Sequence, residues 1–321
     1  MKAIVYHQYG SPELLHLEEV AKPAPKENEV LVRVHAVSIN DWDYGLLYGT
    51  PFVNRMMNGL FRPRKIPILG SDIAGVVEAV GEKVTRFVPG DQVYGDLNGK
   101  WGGLAEYVCA KEDALAKKPE EMSFEEAASL PQVGNLALQA LDAAGKIEPG
   151  HKVLLNGAGG GVGTLAIQIL KSLSAEITVV DSSEKLKALQ KLGAHYAIDY
   201  RKEDFTQTGP YDLILDVKSN RSMSDYRRAL SPDGIYVTVG GETGSLMPMI
   251  LLGPLVSRVG KKRIKMVMLQ TNRDLERLNE LYEAKIIRPI LDHIFPLEEA
   301  DQAFHEYEQM HFVGKVVIKI S

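Results

Sequence analysis

Cysteine is almost absent from this 321-residue chain, with Cys109 the single one. One thiol cannot form an intramolecular disulfide. It also rules out zinc centres that need several thiolates, whether four cysteines or two cysteines and a histidine. Positive charge is not in excess either: 37 Lys plus Arg against 42 Asp plus Glu leave a net charge of -5, which argues against a dedicated nucleic-acid binder. Long apolar runs are missing as well. The longest, Leu246 to Val256, is broken by Pro248 and Pro254 and falls far short of the roughly 20 residues of a membrane span. Met1-Lys2-Ala3-Ile4-Val5-Tyr6 runs straight into charged residues with no apolar core of signal-peptide length. The expectation is a soluble, cytoplasmic protein without stable membrane insertion. No internal repeat or low-complexity tract is found.

What remains is an ordinary globular composition, 45% hydrophobic and 25% charged. At about 150 residues per domain, the length suggests two domains. Short β-branched runs between turn signals fill the first hundred residues, as in Glu29 to Val34, Ile73 to Val80 and Ala105 to Val108. This spacing favours a β-barrel or sandwich. Between Ser123 and Leu141 the apolar period becomes helical, with Pro131 as a break and Ser123 as an N-cap. From His151 strands and helices alternate: Lys152 to Leu155, Glu176 to Val180, Tyr196 to Ile198, Tyr211 to Val217, Gly234 to Val239 and Ile264 to Leu269 read as strands. Several are continuously apolar, as strands covered on both faces must be. The pattern predicts an α/β doubly wound parallel sheet. After Arg273 the β-type pattern returns, ending in a strand from Lys315 to Ile320, so the tail is expected to complete the first domain.

The segment Asn156-Gly157-Ala158-Gly159-Gly160-Gly161-Val162-Gly163 follows a strand and opens an amphipathic run. It matches the dinucleotide fingerprint with Ala158, Gly160 and Gly163 at the three glycine positions, and Asp181 lies 18 residues beyond Gly163 at the end of the next strand. Such a turn lets backbone amides at a helix N-terminus approach a pyrophosphate. Asp181 suits the adenosine ribose of NAD(H). Ser182, Ser183 and Lys185 suit the 2′-phosphate of NADP(H), although the two serines equally serve as a helix cap. The preference between the two cofactors stays open.

With the glycine turn placed, the whole chain resembles the medium-chain dehydrogenase/reductase superfamily, and in particular its zinc-independent quinone oxidoreductase branch. Besides that turn, the resemblance is carried by Met1-Lys2-Ala3-Ile4, Val30 to Asn40, Pro67 to Val77, Val88 to Tyr94, Ala105 to Val108, Leu192-Gly193-Ala194 and Gly314-Lys315-Val316-Val317. It implies a GroES-like β-barrel catalytic domain, residues 1–121 completed by 270–321, around an inserted Rossmann domain, residues 122–269. The family's cleft between the domains would hold nicotinamide and substrate. Where zinc-dependent relatives carry a Cys-His pair and a Gly-His-Glu, this chain has Asn40-Asp41-Trp42-Asp43 and Gly70-Ser71-Asp72. Neither Asn40 nor Ser71 retains a thiolate or imidazole. No metal ligand is therefore assigned, and zinc-free chemistry is expected.

Without a Lewis acid, hydride delivery to a quinone or to the β-carbon of an enone is easier than alcohol oxidation, because conjugation carries the arriving charge to oxygen. The nicotinamide carries the hydride. Asn40 is the expected donor to that oxygen, and Tyr44 or Tyr48 the expected hydroxyl or proton donor, against plain roles in a turn and in packing. Near the nicotinamide the resemblance places Asn135 and the Gly240-Gly241 loop, although the threonine usual beside the former is absent, the chain reading Gly134-Asn135-Leu136. The histidines are scattered and none is assigned as a base.

The expected activity is NAD(P)H-dependent reduction of a small lipophilic quinone or unsaturated carbonyl. Two alternatives stand beside it: an alcohol dehydrogenase with unorthodox zinc ligands, and a binding protein that senses the NAD(P)H state without turnover. The apolar segment Ser245 to Val256 with the cations after it reads as a pocket cap, a dimer interface or a membrane contact. The edge strand Ile264 to Leu269 suggests a homodimer.

Overall fold

The computed structural model describes residues 1–241 and 261–320, so the apolar run 245–256 lies outside the described residues. The chain divides into two compact units. One comprises Met1–Gln132, Thr271–Glu283 and Pro289–Ser321, the other Val133–Gln270 and Ala284–Arg288.

In the first unit, strands β1 (Lys2–Val5) and β2 (His16–Glu19) form a small antiparallel pair. Strand β3 (Glu29–Ser38) is the hub of the main sheet and leads into helices α1 (Asp41–Tyr48) and α2 (Phe52–Asn58). Strands β4 (Asp72–Val80), β5 (Gln92–Asp96), β6 (Tyr107–Lys111) and β7 (Ala116–Lys117) follow, then helix α3 (Phe124–Ala128). Ser123 caps α3, its side chain accepting from Glu126 N while Glu126 answers at Ser123 N. Pro131 then opens helix α4 (Pro131–Ala144) at the position where a missing amide costs nothing.

The second unit holds strands β8 (Lys152–Asn156), β9 (Glu176–Asp181), β10 (Tyr196–Asp199), β11 (Tyr211–Asp216), β12 (Leu230–Thr238) and β13 (Arg263–Met266). Helices α5 (Gly161–Ser172), α6 (Ser183–Leu192) and α7 (Met223–Ala229) connect them. All pairings are parallel, in the order β10-β9-β8-β11-β12-β13. This is a doubly wound sheet whose order reverses beside β8. Among the described residues its edge strands are β10 and β13.

After helix α8 (Leu275–Glu283), strand β14 (Leu291–Pro296), helix α9 (Ala300–Gln309) and strand β15 (Lys315–Lys319) return to the first unit. The order there is β14-β15-β3-β4-β5-β7, with β6 also on β3. The tail thus supplies β15, which pairs with β3, and β14 beyond it. Its core is Val30, Val32, Val34, Ile73, Leu46, Phe304, Val316 and Ile318, among others.

Helix α2 is oriented against its hydrophobic pattern. It buries Asn54 and Asn58 and exposes Phe52, Val53, Met56 and Met57. The burial of Asn58 is satisfied by hydrogen bonds: its Nδ2 donates to Tyr6 OH at 2.6 Å, and its Oδ1 accepts from Ile66 N at 2.8 Å and Lys65 N at 3.2 Å. Removing this amide leaves buried donors and acceptors unpaired at about 1–3 kcal/mol each. Asn58→Ala is therefore expected to lower the unfolding free energy by about 2 kcal/mol or more, read as a fall in urea midpoint at constant slope. A change below about 0.5 kcal/mol would show that the amide does not hold the segment.

Candidate active site

In the second unit the glycine turn connects β8 to α5. Gly157 has φ +77, a conformation that side chains rarely adopt. Gly157 N and Ala158 N donate to Val180 O at 3.0 and 3.3 Å, which pins the turn to β9. A Cβ on Gly163 would sit 2.4 Å from Ala158 O and 2.5 Å from Ala158 Cα, whereas a Cβ on Gly160 would meet nothing within 4 Å. The two glycines therefore differ in purpose. Gly163 allows the helix to pack on its own turn, and Gly160 leaves open space over the first-turn amides of α5, which have no intrahelical partner. Gly161 and Val162 supply those amides. That open cradle at a helix N-terminus fits a pyrophosphate.

Asp181, at the end of β9, is tied into the same turn. Its Oδ2 accepts from Gly159 N at 2.7 Å and its Oδ1 from Ser182 N at 2.8 Å, with Lys185 Nζ 4.0 Å from Oδ1. Ser182 is the N-cap and Ser183 the first residue of α6. The fingerprint residues Ala158 to Gly163, Asp181, Ser182, Ser183 and Lys185 thus come together around one turn. Asn135 is fully buried in α4.

A buried acid that sequence reading passed over organises the neighbouring strand ends. Asp216 Oδ1 accepts from Asn156 Nδ2 at 2.8 Å and Lys218 N at 3.0 Å, and Oδ2 from Tyr236 OH at 2.7 Å. Ser219 Oγ lies 2.9 Å from Tyr236 OH and 2.7 Å from Thr238 Oγ1, and Thr238 Oγ1 donates to Gly240 O at 2.9 Å. The C-terminal ends of β8, β11 and β12 and the Gly240-Gly241 loop therefore form one hydrogen-bonded edge, where open α/β sheets bind ligands. Burial raises the Asp216 carboxyl above its ordinary range, opposed by these donors. The available signal was an acid closing the apolar run Leu213-Ile214-Leu215. A hollow of about 600 Å³ opens near Lys152, Glu176, Tyr196 and Tyr211, each the first residue of its strand. That is the edge opposite the glycine turn, so the hollow is not the dinucleotide cradle.

In the first unit Asn40, 2% exposed, precedes α1. Lys315 Nζ donates to Asn40 Oδ1 and to Ile39 O, both at 2.6 Å, and Lys315 is itself buried. An ammonium group only donates, so this contact fixes the amide with its oxygen toward Lys315 and its NH2 on the other side. Asn40 Nδ2 and Asp72 Oδ1 are both buried, and the Asn40 side chain is among the groups that oppose the rise of the Asp72 carboxyl. Asp43 joins the two segments at the positions of the zinc ligands in zinc-dependent enzymes: Oδ2 accepts from Asn40 N at 3.0 Å and Oδ1 from Gly70 N at 2.9 Å. Asp72 Oδ2 accepts from Gln132 N at 3.0 Å.

Burial is the main force on these groups. It pushes the Asp43 carboxyl up to about 6, against the two amides and Lys315. It raises Asp72 as well, with Asp96 adding to the effect and Lys315 opposing it. Lys315 moves down from the usual lysine range through burial, opposed by Asp72 and Asp43.

Tyr44 and Tyr48 meet at Glu308. Their rings lie 4.6 Å apart and both hydroxyls donate to Glu308 Oε1, at 3.1 and 2.9 Å. Burial and Glu308 hold both phenols above their ordinary range. Asn40 is thus joined to Lys315, Asp43 and Asp72, while the two tyrosines are joined to each other through Glu308. Lys315 is the residue whose part sequence reading missed. Among the described residues the one group of metal-type ligands is Asp292, His293 and Glu306, where His293 Nδ1 already lies 2.6 Å from Asp292 Oδ2.

Residues 26–120 match the family described as alcohol dehydrogenase GroES-like domain, and residues 192–318 the family described as zinc-binding dehydrogenase. The chain is 34% identical to a 2-methylene-furan-3-one reductase of Solanum lycopersicum, over 99% of this chain and 79% of the relative. It is 31% identical to an NADPH-dependent alkenal/one oxidoreductase of Arabidopsis thaliana, over 99% and 79%. Among solved structures, the quinone oxidoreductase of Coxiella burnetii superposes with a TM-score of 0.89 at 33% identity, covering 100% of this chain and 99% of the other.

The two glycines give a paired expectation. Gly163→Ala is expected to destabilise the fold by about 1–3 kcal/mol through overpacking. Gly160→Ala is expected to leave the melting temperature unchanged and weaken dinucleotide binding about tenfold, read by fluorescence titration. For Asp43 the sign is as follows. A carboxyl near 6 when folded and near its ordinary value when unfolded contributes stability that is complete below about pH 4 and lost as pH rises through 6. Urea unfolding of the parent against Asp43→Asn is therefore expected to show a difference that changes by about 2–3 kcal/mol across that window; parallel curves would refute it.

Proposed function

As this chain belongs to the medium-chain dehydrogenase/reductase superfamily, in its quinone oxidoreductase-like branch, we propose that it is a zinc-independent reductase of quinones or α,β-unsaturated carbonyls that uses NADPH. The observation that carries the zinc-free reading is the 2.6 Å bond from Lys315 Nζ to Asn40 Oδ1. A fixed ammonium group occupies the face of Asn40 that a divalent cation would need, and Ser71 offers no imidazole. The residues present do not fit zinc.

The nicotinamide supplies the hydride when bound. Ala158 to Gly163 would hold its pyrophosphate with backbone amides, and the hydrogen-bonded strand ends around Asp216 would support the adjoining loops. Asp181 is already compensated by two backbone amides and by Lys185, so it opposes a 2′-phosphate less than a bare carboxylate would. Ser182 and Ser183 at the N-terminus of α6, together with Lys185, then favour NADPH. The name of the Arabidopsis relative agrees with this choice.

In this reading the Asn40 NH2 is the donor to the carbonyl oxygen that gathers negative charge. A fixed donor of this kind is worth about 10²–10³ in rate. Tyr44 and Tyr48 remain candidate proton donors, acting through the hydroxyls that Glu308 orients. In this reading the edge strand β13 pairs with that of a second copy to form a homodimer, and gel filtration at monomer mass would refute that part.

Purified protein is expected to oxidise NADPH with some members of a panel of quinones and enones, at a higher kcat/KM than with NADH. Asn40→Ala is expected to lower kcat about 100-fold at unchanged NADPH affinity. Lys185→Ala is expected to cut the NADPH-to-NADH ratio about tenfold. Failure with every acceptor would overturn the reading, and stoichiometric zinc by elemental analysis would overturn its metal-free part.

A further inference from the structure

The inverted helix α2 begins a surface that the reductase reading leaves unused. Asparagine burial turns its apolar side outward: Phe52 is 63% exposed and Met56 66%, with Val53 and Met57 beside them at helical spacing. The exposed run continues through Leu60 to Phe61, at 89% the most exposed large apolar side chain among the described residues. A stable monomer seldom spends so many large apolar groups on one short segment without a use for them.

The charge of this segment is equally one-sided. Between Asp43 and Asp72 the sequence contains no acid and four cations, Arg55, Arg62, Arg64 and Lys65, in a chain whose net charge is -5. Arg55 is engaged, its Nε donating to Gly49 O at 3.2 Å and its guanidinium lying over the Tyr9 ring. Arg62, Arg64 and Lys65 are exposed, and no ion pair involves them among the described residues.

We propose that residues 52–65 are a peripheral docking patch for an anionic lipid surface, with the phenylalanine and methionine side chains entering the headgroup boundary and Arg62, Arg64 and Lys65 meeting the lipid charge. Projecting aromatic and thioether groups rimmed by cations match an interface that is apolar below and negative at its rim. The anchor is held rigidly by Asn58, whose bonds to Tyr6, Lys65 and Ile66 fix the helix to the sheet. Nothing in this surface requires a spanning segment, and no described helix is long and apolar enough to cross a membrane.

Sedimentation of the full chain with vesicles tests the assignment. The protein is expected to pellet with phosphatidylserine-containing phosphatidylcholine vesicles, to stay in solution with phosphatidylcholine alone, and to be released by high salt. The triple variant Arg62→Glu, Arg64→Glu, Lys65→Glu and the double variant Met56→Ser, Phe61→Ser change exposed side chains. Each is expected to bind anionic vesicles at least about tenfold more weakly at an unchanged melting temperature. Absence of parent binding, or equal binding by either variant, would overturn the proposal. So would gel filtration in which the double variant converts a dimer to a monomer while the parent ignores vesicles, since the patch would then cover a second copy. These readouts do not depend on turnover, so they stand or fall apart from the reductase reading.

Discussion

One buried ammonium group governs the first unit. Taking Lys315 out of water is costly, and the cost is met by the Ile39 carbonyl, the Asn40 amide oxygen and the buried carboxylates of Asp72 and Asp43. The acids need the cation as much as the cation needs them. Three stretches of sequence, around residues 40, 72 and 315, are thereby held in one arrangement. The same charge fixes the amide oxygen of Asn40.

The second unit uses a buried acid for a comparable purpose. Asp216 gathers donors from three strand ends, and Asp181 holds the glycine turn to the strand beside it. In each case a carboxylate saturated by backbone and side-chain donors makes a loop edge rigid at the C-terminal side of the sheet. The phosphate cradle proposed for the glycine turn would need that stiffness, because backbone amides bind well only when they are already aimed.

Local pattern carried most of the fold. The apolar strands of the second unit, the glycine turn and the helices around Pro131 depend on neighbours within a few residues, and the sequence states them directly. The return of the tail to the first unit was legible as a change of period. The partnership of Asn40 with Lys315 was not, because it joins residues separated by almost the whole chain and a lone lysine opening an apolar strand has no periodic signature. The exposure of Phe52 and Met56 was equally hidden. Apolar spacing on a helix argues for an inward face, and only the hydrogen bonds of Asn58 turn it outward.

Strand β15 lies between β14 and β3, so the first unit closes across the entire length of the second. On a ribosome the acids Asp43 and Asp72 emerge early and Lys315 follows only after residues 133–270 have been made. The doubly wound sheet has all its strands before its neighbour has its counter-charge. Vectorial synthesis thus makes every strand of the doubly wound sheet available before the unit bearing Asn40 has its last strand and its buried cation.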